Sequence, residues 1–494
     1  MSKNIDSNTN KALKGMSSQT FVTILLGLVD VVSFSIMSRL LTQQDFGYYA
    51  ALSAILMIFN SFAETGIGSA IIQKKNADQH FINNAFTLAL CFGTVISALL
   101  FLLSDFLAAI VVDPSMGTPL KLMSLTILCH CMTSPYISML HKKLKFLVVG
   151  YVQLGAWIIT SIVAIVLAAN GFGYYAIIAK SILGSILTLA IVAFVSKARF
   201  SIEWNKDIIK SIWGYSSWLM MSVVFRNFSQ QADRLLMSRL LSVDLLGSYN
   251  RPKEFINQIS SKFNKIFDTA LFPVLSGIQD NIPSLQRAFK KSLYYMNLFS
   301  IVLTMTFFFN AELIIRIFFG EKWLNLTGVF QVLSLALIFN IDGRLADCYL
   351  RSLGLTKSQF NFRVVETFIK FGGVIIGVYF GIYGVAIAVV FANFIMIFIK
   401  VSYIANHIEL RGGAIVKVIV NAWQPLLVYM PVIGLLFFIL PHTLVGDIVI
   451  TFSFVFLTIV MFIFCPILVG KKYHEEVYAK VRNIFYSKFC IAKV

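Results

Sequence analysis

The chain has 494 residues, 58% hydrophobic and 13% charged, with a mean hydropathy of +0.81. Soluble domains run nearer half apolar and a quarter charged, so this composition excludes an ordinary soluble enzyme and points to a polytopic membrane protein. The formal net charge of +18 requires no nucleic-acid partner, because basic loops beside anionic inner-leaflet lipid account for such an excess.

Taken in chain order, Met1 to Met16 is polar and carries Lys3, Lys11 and Lys14. It lacks the apolar core and small-residue cleavage site of a signal peptide, so the first span is expected to stay as an anchor. A spanning helix needs about 20 largely apolar residues. The segments 17–40, 47–72, 82–104, 119–140, 147–169, 173–196, 213–237, 250–276, 292–311, 326–350, 361–380, 382–404, 419–440 and 446–469 qualify, which predicts an all-α fold of about fourteen spans. Pro135, Pro273, Gly372-Gly373 and Pro431 fall inside spans. They read as kinks, since neighbouring helices satisfy the backbone groups they free.

Basic residues set the orientation. With the N-terminus inside, Lys74-Lys75, Lys142-Lys143-Lys145, Lys197 to Lys210, Lys290-Lys291 and the tail from Lys471 all face the cytoplasm. The opposite side keeps only Arg39, Arg234, Arg239, Arg251, Lys253, Arg316 and Lys322. The positive-inside rule then predicts both termini on the cytoplasmic side of the membrane.

The chain also repeats itself. Ser38-Arg39-Leu40-Leu41 with Gly47 and Tyr49 returns 200 residues later as Ser238-Arg239-Leu240-Leu241 with Gly247 and Tyr249, and Leu140 and Gly171 echo at Leu350 and Gly381. The period covers six spans, an even number, so the copies enter the membrane in the same direction, as parallel repeats of a transporter type. The expected organisation is an N-lobe over 1–205 (spans 1–6), a C-lobe over 206–410 (spans 7–12), and 411–494 with spans 13 and 14 and a cytoplasmic tail.

Charged residues at membrane depth are expensive and usually face protein or a water-filled cavity. Span 7 carries Arg226 and Asp233; span 8 carries Glu254, Lys262, Lys265 and Asp268; span 10 carries Asp342, Arg344, Asp347 and Arg351; span 11 carries Arg363, Glu366 and Lys370. Spacings of three or four place these residues on one face of each helix, with Asp268 and Asp342 beside it. One reading is internal pairing, as Arg344/Asp347, Asp347/Arg351 and Glu366/Lys370. It fits Lys262, Lys265 and Arg226 poorly, and there the cations point to an anionic ligand such as a phosphate or pyrophosphate. Asp30 and Glu64 are lone acids in apolar spans: either local hydrogen-bond acceptors, partners of a C-lobe cation, or sites that load a proton or sodium ion.

Cys129-His130-Cys131 reads as buried core within one helical turn, and no CxxC pair occurs. Neither a metal site nor a disulfide framework is expected. GxxxxGK[ST], HExxH and GxSxG are all absent, so no catalytic residue, ATP-driven motor or cofactor is expected in this chain.

The run Ser38-Arg39-Leu40-Leu41-Thr42-Gln43-Gln44-Asp45-Phe46-Gly47, Glu64-Thr65-Gly66 leading to Ala70-Ile71-Ile72-Gln73, and Leu144-Lys145-Phe146 follow one another in order. They continue into Ala232-Asp233-Arg234-Leu235-Leu236, Leu246-Gly247-Ser248-Tyr249-Asn250-Arg251, Leu271-Phe272-Pro273-Val274-Leu275-Ser276 and Phe319-Gly320-Glu321-Lys322-Trp323. In these motifs the chain resembles bacterial Wzx-type polysaccharide flippases of the multidrug/oligosaccharidyl-lipid/polysaccharide exporter superfamily, in their colanic-acid-exporter-like branch. Gln44 and Pro252 depart from that pattern.

The resemblance implies a flippase, not an enzyme. It would carry an undecaprenyl-diphosphate-linked oligosaccharide from the inner to the outer leaflet by alternating access, driven by an ion or proton gradient. Arg226, Lys262, Lys265, Arg344 and Arg234 are the expected diphosphate contacts. Asp30, Glu64, Asp233, Asp342 and Glu366 are the expected coupling or gating acids. Expected partners are membrane lipid and the pathway's polysaccharide polymerase and glycosyl transferases. Two rivals stand beside this reading: a multidrug or metabolite antiporter of the same superfamily, and a membrane polysaccharide polymerase. The short outer loops and the absence of paired carboxylates in them count against the polymerase.

Overall fold

The computed structural model describes residues 22, 25–63, 67–74, 78–143, 145–198, 200–424 and 431. Glu64, most of the span expected at 419–440, the whole of 446–469 and the basic tail from Lys471 lie outside the described residues. Among the described residues every regular element is helical.

A helix over 25–40, here α1, precedes α2 (Gln43–Ala63), α3 (Ile67–Gln73), α4 (Gln79–Val111), α5 (Gly117–Lys142), α6 (Phe146–Ala169) and α7 (Tyr174–Ser196). Then follow α8 (Lys206–Leu240), α9 (Val243–Gly277), α10 (Ile282–Phe309), α11 (Ala311–Phe318) and α12 (Thr327–Ser334). The last are α13 (Ala336–Ser352), α14 (Thr356–Val378), α15 (Gly381–His407) and α16 (Gly412–Trp423). Among the described residues, six helical segments are long and apolar enough to cross a membrane: α4, α6, α7, α10, Glu321–Ser352 (which contains α12 and α13) and α15. At 1.5 Å per residue, the 35 residues of α8 extend about 52 Å, more than a hydrocarbon core of about 30 Å requires.

Caps fix where several helices begin. Asp78 accepts from Phe81 N at α4, Asn205 from Asp207 N and Ile208 N at α8, and Asn281 from Ser284 N at α10. Each satisfies a backbone donor that the first helical turn leaves without a partner. Leu102, Phe106 and Phe194 are exposed, as apolar side chains facing hydrocarbon would be.

The repeats are visible in local geometry. Leu41 N bonds Met37 O and Leu241 N bonds Met237 O, both at 2.9 Å, and the next helices start at Gln43 and Val243. At the second offset, Lys145 N reaches Leu140 O at 2.9 Å and Leu355 N reaches Leu350 O at 2.8 Å, and the next helices start at Phe146 and Thr356. Gly171 and Gly381 both have positive φ, +82° and +67°, a backbone region in which glycine carries no Cβ penalty.

The chain forms two compact units: Met1–Arg251 with Phe318–Lys322 and Thr367–Val385, and Pro252–Ile317 with Trp323–Glu366 and Ala386–Val494. In the first, α4 packs along α5, α6 along α7, and α2 along α8. Close approach of α4 and α5 depends on Gly93, where a Cβ would sit 2.6 Å from Cys131 Cβ. In the second, α10 packs against α13 and α16 around Phe289, Leu293, Tyr349, Leu350 and Ile404.

Candidate functional site

Within the first unit the two copies of the repeat touch. A Cβ on Gly47 would run into Val243 O, and one on Gly247 into Gln43 O, with Gly47 N 2.8 Å away. Residues 43 and 243, and 47 and 247, are counterparts in the repeat, so each copy presents its glycine to the backbone of the other. Two helix starts can approach this closely only where neither residue has a side chain.

Arg251 secures the same region. It is 5% exposed, with its guanidinium 3.3 Å from the Phe34 ring centroid and 3.9 Å from that of Phe46. Its Nε donates to Ser38 Oγ at 3.0 Å, and its Nη2 donates to Phe34 O and Ser38 Oγ, both at 2.8 Å. Nearby, Lys322 Nζ donates to Arg39 O at 3.0 Å and to Leu41 O at 2.5 Å. On α8, Asn227 donates to Ser61 Oγ at 2.8 Å, and buried Asp233 accepts from the Tyr249 hydroxyl at 2.7 Å. Asp233 thus lies against a repeat-motif tyrosine.

The expected cations occupy different settings. Arg226 is half-buried, and its Nε donates to Asn227 Oδ1 at 3.4 Å. Arg234, also half-buried, donates from Nη1 to Gln231 Oε1 at 3.0 Å. Arg344 is half-buried on α13. Lys262 and Lys265 fall on α9, but their side chains are outside the described set, as is Glu64.

Asp30 on α1 accepts a hydrogen bond from the Trp157 indole nitrogen of α6. Lys180 of α7 stands over the same indole, 4.8 Å from its centroid, and donates to Ser33 Oγ at 2.9 Å. Three helices of the first unit therefore converge on one tryptophan.

The second unit holds a buried acid–base quartet. Arg363 pairs with Asp347 through Nη2 and with Glu366 at 3.3 Å; Lys400 pairs with Asp347 Oδ1 at 3.2 Å and with Glu366 at 3.3 Å. These contacts run between helices as well as within one. Asp347 of α13 reaches across to Arg363 of α14 and Lys400 of α15, Glu366 pairs with Arg363 on its own helix and with Lys400 across, and Arg351 donates from Nε to Asp347 O and stands 5.7 Å over Phe272. Helices packed side by side bring charges within reach that spacing along one helix cannot reveal. Lys400, 3% exposed, was signalled only by being a lone cation in an apolar span. Asp342, which sequence grouped with the gating acids, is also buried on α13 and lies beside Asn297 of α10.

At the margin of the first unit, the segment ahead of α8 is tied to the start of α4. Asn83 Nδ2 donates to Glu203 Oε1 at 2.6 Å, His80 contacts Glu203 Oε2 at 2.8 Å, and Asn205 N donates to Asn84 Oδ1 at 2.6 Å. Hydrogen bonds from Asn83, His80 and Ser201 hold the Glu203 carboxyl below its usual range.

The profile of a family described as polysaccharide biosynthesis protein matches residues 36–328. The chain belongs to that family. It is 21% identical over 428 residues to the lipopolysaccharide biosynthesis protein WzxC of Escherichia coli, covering 85% of this chain and 86% of that one. It is 19% identical over 351 residues to the succinoglycan biosynthesis transport protein ExoT of Rhizobium meliloti, covering 70% of each. Among solved structures it matches the lipid II flippase MurJ in an inward closed conformation, at TM-score 0.70 and 16% identity, over 91% of this chain and 98% of that one. An inward-facing multidrug resistance MATE family transporter matches at TM-score 0.60 and 14% identity, over 82% and 99%. The Wzx-type resemblance carried by the motifs is thereby borne out, and the fold is that of these membrane transporters.

Proposed function

We propose that the chain flips an undecaprenyl-diphosphate-linked oligosaccharide from the inner to the outer leaflet of the cytoplasmic membrane, for surface polysaccharide assembly, with ion or proton coupling. The reading rests chiefly on family membership over 36–328, a stretch that contains Arg226, Arg234, Lys262 and Lys265. With Arg344 these cations are the proposed diphosphate contacts, since Arg offers a forked donor and Lys a point charge to phosphate oxygens. Asp30, Glu64, Asp233, Asp342 and Glu366 are the proposed coupling or gating acids. Rocking between the repeat copies exposes the load to either leaflet in turn. Spans 13 and 14 stay outside the duplicated core, and both termini face the cytoplasm.

The test is export in cells lacking their own flippase for one repeat unit. The chain restores surface glycan, and Arg226→Ala or Lys262→Ala leaves lipid-linked repeat units on the inner leaflet while the protein remains in the membrane. Normal export by both variants would remove these cations from the reaction. Failure of the unaltered chain with every lipid-linked donor supplied would overturn the flippase reading.

A further inference from the structure

Between Lys121 and Lys142, α5 carries no Asp, Glu, Lys or Arg, and His130 stands at its middle, about 20 Å from its first residue. The sequence reads Cys129-His130-Cys131 as core. The two cysteines are buried, 6% and 2% exposed, but the histidine between them is exposed. At 3.6 residues per turn, Thr126, Ile127 and Thr133 are its neighbours one turn above and below, and Met123 lies two turns away on the same side. These four are 1%, 0%, 6% and 0% exposed. The apolar side chains that α5 does expose, Leu122 and Leu125, are turned away from His130 by about 80° or more. The opening at His130 is therefore a local break in a packed face, not part of a lipid-facing stripe. That helix packs against α2, α3, α4 and α7 within the first unit.

Neither ring nitrogen has a hydrogen-bond or ionic partner among the described residues. The hydroxyls on either side are committed to their own helix: Thr126 Oγ1 donates to Met123 O and Thr133 Oγ1 to Cys129 O, both at 2.7 Å. A polar ring without a partner in a packed face is costly, and a ligand of matching chemistry offsets that cost. Phosphate oxygens only accept and are best met by cations. A neutral imidazole offers one donor and one acceptor, which is the pattern of an alcohol hydroxyl. The load proposed above carries such hydroxyls on its sugars. We infer that His130 contacts a sugar hydroxyl of the oligosaccharide in transit and helps select which glycan passes. The inference rests on the flippase reading and adds a glycan contact to it, which the cations assigned to the diphosphate do not provide.

The test is thiol labelling of the purified full chain in neutral detergent, with His130→Cys placed in a chain whose six cysteines are replaced by alanine. A water-soluble methanethiosulfonate reagent is expected to modify the new thiol. The undecaprenyl-diphosphate-linked repeat unit of the strain in which export is restored should slow that reaction at least about fivefold, and undecaprenyl diphosphate without sugar less than about twofold. No modification, or a rate that neither lipid changes, overturns the contact. So does equal slowing by both lipids, which would belong to the diphosphate. Export supplies a second arm. His130→Gln keeps a donor and an acceptor and exports within a few-fold of the unaltered chain, whereas His130→Leu, with neither, exports about tenfold less. Undiminished export by His130→Leu overturns the role. Failure of the unaltered chain to export any repeat unit overturns the flippase reading and this contact with it; normal export with unslowed labelling overturns the contact alone.

Discussion

Gly247 lies against Gly47, its counterpart 200 residues earlier, so closely that a Cβ on it would stand 2.8 Å from the Gly47 amide nitrogen. Both residues are helical with ordinary backbone angles. Intrinsic propensity alone would therefore favour alanine by about 1 kcal/mol at either position. Packing reverses that preference. Gly47→Ala or Gly247→Ala must push the two helix starts apart, and each is expected to lower the melting temperature of the purified protein and to suppress export. Gly343→Ala is the control, because nothing stands within 4 Å of a Cβ there; it should melt at or above the unaltered protein. A Gly247→Ala protein as stable and active as that control would show that the copies need not approach this closely.

Arg251 tests the same region by chemistry instead of volume. Its planar guanidinium faces two rings while donating to Ser38 and Phe34. Lysine keeps the charge but has neither the plane nor the fork. Arg251→Lys should lose about 2 kcal/mol through forfeited hydrogen bonds and ring contacts, read as a lower thermal midpoint. An unchanged midpoint would mean that the charge alone is what this position needs.

The quartet of Asp347, Arg363, Glu366 and Lys400 predicts a non-additive pair of substitutions. Lys400→Met removes the ammonium that two buried carboxylates share, at a cost of about 3–5 kcal/mol, and should sharply reduce the amount of protein in the membrane. Adding Glu366→Gln removes one of the two carboxylate charges, so the double variant should recover part of the loss. Additive losses, measured by membrane abundance and by melting, would show that the four groups do not act together. This readout bears on folding, and it is separate from any coupling role of Glu366.

Glu203 gives the pH dependence. Its carboxyl is held below the usual range by bonds from Asn83, His80 and Ser201, so its folded value lies under the unfolded carboxylate value of about 4.3. Protons therefore favour the released form. The tie is fully present above the unfolded value and is lost as pH falls through the lowered folded one. Amide hydrogen exchange over 200–205, corrected for intrinsic rates, should accelerate as pH drops below about 4. Glu203→Gln should exchange faster at neutral pH with little further acceleration. Identical profiles for the two proteins would detach Glu203 from the anchoring of this segment.

How much of this could be read from the chain depends on whether the signal is local. Helix starts at 43 and 243, and again at 146 and 356, follow from repeated local sequence, and the echo was visible without coordinates. The contact of Gly47 with the backbone at 243 is not local: the motif marks both glycines as special without saying that they meet. Spacing along α13 and α14 suggests pairs within each helix, but it cannot show that Asp347 meets Arg363 and Lys400, or that Glu366 meets Lys400, since lateral packing decides which cations of other helices come near. Trp157 carried no signal at all. A tryptophan in an apolar span reads as core until a neighbouring helix supplies an acceptor such as Asp30.

That last contact separates two roles for Asp30. Its carboxylate accepts the Trp157 indole N–H, while Lys180 stands over the same ring and donates to Ser33. Asp30→Asn preserves an acceptor oxygen for the indole but removes the charge; Trp157→Phe keeps the charge and removes the donor. A structural tie depends on the hydrogen bond, so Trp157→Phe should then do more harm than Asp30→Asn. A coupling acid depends on the charge, and the order reverses. Under the proposed function, Asp30→Asn mimics a permanently protonated acid, stops net export and leaves the protein folded, whereas Trp157→Phe exports at a reduced rate. Cysteine labelling from outside adds a second readout, because a carrier trapped in one state labels at one extreme whatever its export rate. Normal export and unaltered labelling in Asp30→Asn would return this carboxylate to a purely packing role and move coupling to another acid.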